Sequence, residues 1–258
     1  MLRDIKHNHD ASSLQTGGSG PDAEVMSAHA FWRNVQRLDA GASLRRVGKL
    51  AGAEKIGVIS GWLCELTLLP DGRRQIFDFV LPHEIASLPT GESPRRDLVA
   101  LTRVELIDWT VARQQMREAA ARSWEHSEPQ RQGRMFDQVV RLGRLTAEER
   151  MLHLFLDIYH RLKNAGLVQA DTLKLPLTQE LLADALGLSV VHINRTVKAL
   201  RCKGYITLRS GMVTLHRPQQ LAQLACYERA PGLMASPRGM SAAAMSALSL
   251  SGASACAN

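Results

Sequence analysis

Apolar and polar residues follow two different periods along this chain, and the change falls near residue 113. Before it the pattern is that of short strands. Ile56 to Leu69 (IGVISGWLCELTLL) is strand-like, with Gly61 at a turn or bulge. Pro70-Asp71-Gly72 supplies turn chemistry, and Arg73 to Leu81 (RRQIFDFVL) is a second strand, so the two read as a hairpin. Leu98 to Leu101 and Val104 to Trp109 add further strands. Short strands at this spacing predict a small barrel or sandwich.

After residue 113 the period is helical. Val111 to Trp124 is compatible with a helix, and Pro129 either kinks a longer helix or sits in its first turn. Met135, Val139 and Leu142 recur at i, i+4 and i+7, with Phe136 and Val140 beside them. This stripe is wide enough to pack on another helix. Thr146-Ala147-Glu148-Glu149 has capping-box spacing and predicts a new helix running to about Lys163, stopped by Asn164-Ala165-Gly166.

Residues 175–216 carry the strongest local signal. Thr178 is placed to cap a short helix, Gln179 to Leu186, whose inner face is Leu181, Leu182, Ala185 and Leu186. Gly187 supplies a tight turn, and Ser189 caps a second helix to about Cys202. At about 100° per residue, Val190, Ile193, Val197 and Leu200 fall on one side of that helix. Val191, His192, Arg195 and Lys198 fall on the other, with Asn194 at the margin. A greasy inner face and a cationic outer face suit a major groove: arginine can bridge guanine O6 and N7, asparagine can pair with adenine, and valine can meet a thymine methyl. Tyr205 to Leu208 and Met212 to Leu215, joined through Arg209-Ser210-Gly211, read as a hairpin. Its tip residues Arg209 and Ser210 are placed to meet phosphates. The segment is thus a winged helix-turn-helix.

Composition adds constraints. The chain has 258 residues, enough for two domains, with 45% hydrophobic and 22% charged residues, a globular balance. A net charge of +7 favours an anionic partner, either nucleic acid or an anionic membrane surface. No run of about 18 apolar residues occurs, so no transmembrane helix is expected, and no membrane partner is assigned. The polar stretch Met1 to Gly20 lacks the apolar core of a secretory signal, and the expected location is cytoplasmic. Cys64, Cys202, Cys226 and Cys256 are widely separated and form no metal or cluster motif. No nucleophile-elbow, zinc-protease, phosphate-loop or dinucleotide-binding signature is present, so no catalytic residue is assigned, and no cofactor motif is evident.

The stretch LTQELLADALGLSVVHINRTVKALRCKGYI (Leu177 to Ile206) resembles the DNA-binding signature of the CRP/FNR family of bacterial regulators. Gly61-Trp62, Leu69 to Ile76 and Phe79 to Pro82 resemble that family's cyclic-nucleotide-binding-like β-roll. The likeness covers roughly residues 30–225. It implies an α+β fold with an N-terminal jelly-roll-like β-roll, a long dimerisation helix and a C-terminal winged helix-turn-helix. Residues 1–28, polar and Gly/Ser-rich, are expected to be a disordered tail, followed by the β-roll over 29–112 and the dimerisation region over 113–145. The DNA-binding domain follows over 146–226, then an Ala/Ser-rich disordered tail over 227–258. The resemblance further implies a homodimer joined through Met135, Val139 and Leu142, a near-palindromic operator in double-stranded DNA, and RNA polymerase as a partner. By position it places Thr178, Gln179 and Ser189 at phosphates and Val190, Val191 and Arg195 at base edges. Val190-Val191 stands where the cyclic-AMP receptor has an Arg-Glu pair, so the operator is expected to differ from that receptor's.

The effector is unknown from this reading. Nucleotide-binding members carry a Gly-Glu pair followed by Arg-Ser/Thr-Ala, whereas this chain has His83-Glu84-Ile85-Ala86 and later Pro94-Arg95-Arg96-Asp97. Glu84, Arg95 and Arg96 remain the candidate ligand contacts. His7, His9, His29 and His83 are available to a haem. The alternative function is therefore a nucleotide or haem receptor that signals through protein partners.

Overall fold

The computed structural model describes residues 31–46, 50, 52–88 and 96–228. The two expected tails, bar residues 227–228, fall outside these residues, as do Arg95, Cys256 and the histidines at 7, 9 and 29.

Among the described residues, seven strands form the N-terminal unit: β1 Gln36–Leu38, β2 Lys55–Ser60, β3 Leu63–Leu68, β4 Arg74–Val80, β5 Ile85–Ser87, β6 Arg96–Ala100 and β7 Val104–Asp108. They pair antiparallel in two sheets, ordered β1-β7-β2-β5 and β4-β3-β6. The run that reads as one strand from Ile56 to Leu69 is two, one in each sheet, broken at Gly61. That glycine has φ +82°, and a Cβ there would stand 2.3 Å from the Arg103 carbonyl oxygen. Only glycine fits so close to another backbone in that conformation. β3 and β4 form the expected hairpin, pairing from Leu63–Val80 to Leu68–Arg74.

Ile56, Val58, Leu63, Val80, Leu98, Val104 and Leu106 fill the space between the sheets. The outer face of β2 is covered by α1 (Trp109–Gln115) and α2 (Glu118–Glu125). Trp124 stacks against both Trp109 and His83, with ring centroids 5.7 and 5.5 Å away. Helix thus starts at Trp109, directly after β7, because Asp108 accepts a hydrogen bond from the Thr110 N–H and caps α1.

α3 (Ser127–Arg144) follows, 18 residues and about 27 Å long, with Pro129 in its first turn. Thr146 and Glu149 form the expected capping box at the start of α4 (Ala147–Asn164). α4 is buried on nearly every side. Its Met151, Phe155, Ile158 and Tyr159 belong to a single apolar cluster with Cys64, Ile76 and Phe79 of the β3–β4 hairpin and with Ile193 and Leu200 further along. The N-terminal strands and the C-terminal helices therefore share one core. Deep burial in it pushes the Cys64 thiol up to about 12.

The rest of the chain is α5 (Gln179–Leu186), α6 (Val190–Cys202), a three-stranded sheet and α7 (Pro218–Leu224). The sheet is ordered β8 (Thr172–Lys174), β10 (Met212–Leu215), β9 (Ile206–Arg209).

Candidate nucleic-acid interface

The Thr178 hydroxyl accepts a hydrogen bond from the Leu181 N–H and starts α5, with Gln179 exposed in its first turn. Gly187 ends α5 in the left-handed region (φ 63°, ψ 38°), where glycine carries no Cβ penalty. Two residues later the Ser189 hydroxyl accepts from the His192 N–H and starts α6. The Ser189 hydroxyl uses an acceptor site only, so its own O–H stays available to an anion at the start of α6, whereas the Thr178 hydroxyl also donates to the Glu180 carboxylate.

α6 has two faces. Ile193, Thr196 and Leu200 are buried, and Val190 and Val197 pack half-buried against the same core. Thr196 keeps its polarity satisfied by donating to the His192 carbonyl at 2.9 Å. Val191, His192, Asn194, Arg195 and Lys198 are all exposed. Arg195 and Lys198 have no acidic partner among the described residues, and the first turn of α6 contains no acid. Val190 thus belongs to the packed side more than to the outer one, unlike Val191. Sequence reasoning passed over Arg201, which is exposed in the last turn and extends the cationic surface. Its place three residues after Lys198 was the available signal.

Arg209 and Met212 are paired across a two-residue loop, Ser210-Gly211, with φ of 51° and 73°. Positive φ at both loop positions belongs to the turn type that matches strand twist. Arg209 and Ser210 stand exposed at the tip. β8 brings in Lys174, opposite Met212 on the other flank, so Lys174, Met212 and Arg209 form one row across the sheet. A three-residue strand gives too short an alternation to be read from sequence.

The residues considered for a β-roll ligand are not brought together. Glu84 is buried, and its carboxylate accepts from Arg161 Nε at 2.8 Å and Nη2 at 2.6 Å and from the Leu81 N–H at 3.0 Å. Arg96 pairs with Glu65, which also pairs with Arg131. Arg95 lies outside the described residues. His83 stacks on Trp124, and burial lowers its pKa.

Arg161 is the centre of a buried ionic cluster. Besides Glu84 it reaches Asp78 at 3.3 Å and Asp157 at 3.0 Å, and Arg134 of α3 pairs with the same Asp78 at 2.8 Å. Burial alone would raise the Glu84 and Asp157 carboxyls, but Arg161 and Arg134 outweigh it and hold both below their ordinary values. Next to the cluster, Arg141 donates to Nδ1 of His153 at 3.1 Å. A guanidinium only donates, so Nδ1 is the acceptor and the imidazole is neutral. Burial, then the Arg141 charge, push His153 down to about 4.

Residues 149–224 match the family model of the Crp-like helix-turn-helix domain. The nitrogen fixation regulation protein FixK of Azorhizobium caulinodans is 29% identical over 195 residues, 71% of this chain and 77% of that protein. FixK of Rhizobium meliloti is 31% identical over 169 residues, 61% of this chain and 71% of that protein. The solved structure of FixK2 from Bradyrhizobium japonicum is similar with a TM-score of 0.57 at 26% identity, covering 74% of this chain and 96% of that one.

Folded-state pKa values below the unfolded ones give stability that is complete above the unfolded values and drains as pH falls. His153 and His83 set the upper window below their ordinary 6.5, His153 down to about 4 and His83 in the same direction. Glu84 and Asp157 act below their ordinary 4.5 and 3.8. The melting temperature should therefore fall as pH drops from 6.5 towards 4, and His153→Gln should flatten that portion of the curve. A wild-type curve that is flat or rising there contradicts the assignment.

Proposed function

The chain belongs to the CRP/FNR family of DNA-binding transcription regulators, which are not enzymes, and on that premise we propose that it acts as a homodimer on a near-palindromic operator. Each protomer lays α6 in the major groove, and the two half-sites lie about one helical turn apart. The observation that carries this reading is the outer face of α6: Arg195 and Lys198 exposed and without acidic partners among the described residues, backed by buried Ile193, Thr196 and Leu200.

Arg195 is the guanine reader, with Val191, His192 and Asn194 at neighbouring base edges. Thr178, Gln179 and Ser189 approach phosphates at two helix N-termini. Arg209, Ser210 and Lys174 of the wing reach the flanking backbone, which fixes register without carrying sequence information. The protein works in the cytoplasm, where RNA polymerase is its further partner. No effector is assigned to the β-roll, since Glu84 and Arg96 are spent on internal ion pairs.

The inverted polarity of α3 supports the dimer. Its Arg134, Gln138 and Arg141 are buried within the chain, while Phe136, Val139 and Val140 are 66%, 70% and 50% exposed and Met135 is 41% exposed. A helix that hides its arginines and shows its apolar stripe to water has that stripe reserved for another surface. A second α3 matches it in length and pattern. Leu142 sits at the edge of the stripe, half-buried beside Gly187 of its own chain.

Two outcomes follow. Arg195→Ala should weaken binding to a duplex selected from a random pool by about 1–3 kcal/mol, and random DNA much less. Lys198→Gln should weaken both alike and lower the salt slope by about one. Fluorescence anisotropy across a salt series measures both, and equal loss on selected and random DNA for Arg195→Ala refutes the base-reading role. Phe136→Glu with Val139→Glu should give a folded monomer in sedimentation. A dimer that survives both charges refutes the α3 interface.

A further inference from the structure

The last turn of α5 is where three parts of the molecule meet. Helix C-termini leave carbonyls without intrahelical partners, and here side chains from outside the helix take them. Gln138 of α3 donates from Nε2 to the Ala185 carbonyl at 2.7 Å and shares that donor with the Ile76 carbonyl of β4 at 3.3 Å. Gln75 of β4 also reaches the Ala185 carbonyl, at 3.5 Å. Arg150 of α4 donates to the Leu186 carbonyl at 3.1 Å and to the Leu145 carbonyl, at the α3–α4 junction, at 2.8 Å. One residue earlier, Asp184 pairs with Arg74 of β4 at 2.6 Å. Gly187 and the start of α6 follow immediately.

These contacts fix more than local structure. α3 carries the apolar stripe, which on the dimeric reading above lies at the dimer axis, and Arg134 and Gln138 tie α3 to β4. α5 and α6 pack on each other and on α4 in the same apolar core that reaches β3 and β4. Beside that core, Arg74, Gln75, Gln138 and Arg150 are the polar bonds that set where this pair of helices stands relative to α3, and none of them is on the outer face of α6.

We propose that Arg74, Gln138 and Asp184 are positioning residues that set the half-site spacing the protein accepts, and that they do so without touching DNA. This rests on the dimeric reading above. One inserted base pair moves a half-site by about 3.4 Å and turns it by about 34° about the duplex axis. A recognition helix locked to α3 cannot follow such a shift, whereas an unlocked one can swing to meet it. Removing the lock therefore erodes discrimination between spacings and leaves discrimination between half-site sequences unchanged, because Arg195 and its neighbours are untouched.

The test uses the full chain and a duplex selected from a random pool, plus versions with the spacer changed by one and two base pairs and versions with one half-site base pair replaced. Anisotropy gives two ratios, one for spacing and one for half-site sequence. Arg74→Gln, Asp184→Asn and Gln138→Leu should each lower the spacing ratio by about fivefold and hold the sequence ratio. The exchange Arg74→Asp with Asp184→Arg should restore the spacing ratio, which a merely misfolded protein would not do. An unchanged spacing ratio in all three variants overturns the proposal, as does an equal fall in both ratios without rescue by the exchange. A wild-type protein that selects sequence but ignores spacing overturns it too, while leaving the DNA-reading assignment intact. A wild-type protein that selects no sequence removes the functional reading itself.

Discussion

A guanidinium withdrawn from water needs compensating charge around it, and in this protein that demand, made by Arg161, holds the two ends of the fold together. The residue rises from α4, and its partners come from the strand unit as well as from its own helix: Asp78 on β4, Glu84 beyond it and Asp157 one turn back. The pairing holds its own pKa well above the ordinary value although burial opposes this. Removing one member of a buried ionic group leaves the others uncompensated, at a cost of about 3–5 kcal/mol. α4 therefore cannot lift away from β4 without exposing several mismatched charges at once, and Arg134 ties α3 into the same group.

From that anchored helix the rest of the C-terminal unit takes its place. α4 supplies the apolar surface on which α5 and α6 rest, through Ile193, Leu200 and Leu186. With the inner side of α6 so occupied, its outer side has no core to enter, and the charges of Arg195, Lys198 and Arg201 face solvent. A cationic helix face held rigid from behind is what a polyanion with a wide groove recognises. The same economy explains α3: the arginines that neutralise Asp78 and flank His153 turn inwards, which leaves its apolar residues outside.

Much of this was written in local sequence. The caps at Thr146, Thr178 and Ser189, the left-handed turn at Gly187, the sidedness of α6 and the β3–β4 hairpin all depend on residues within a few positions of one another, where propensity and geometry agree. What could not be read depends on distant partners. Periodicity located the stripe at Met135 and Val139 but not whether it faced the chain's own core. Arg134, Gln138 and Arg141 have the composition of a solvated face and are buried, because their partners lie on β4, α4 and α5. Glu84 looks like a free anion or ligand contact until Arg161, 77 positions along the chain, is seen beside it. Lys174 entered the wing through a strand three residues long.

The central claim is that the exposed side of α6 meets base edges in the major groove. Methylation interference at guanine N7, an atom that lies in that groove, tests it most directly on a duplex selected from a random pool. The account predicts interference at a guanine in each half-site with the wild-type protein, and its loss at those guanines with Arg195→Ala. Interference confined to minor-groove adenine N3, or a guanine pattern that survives Arg195→Ala unchanged, would contradict it.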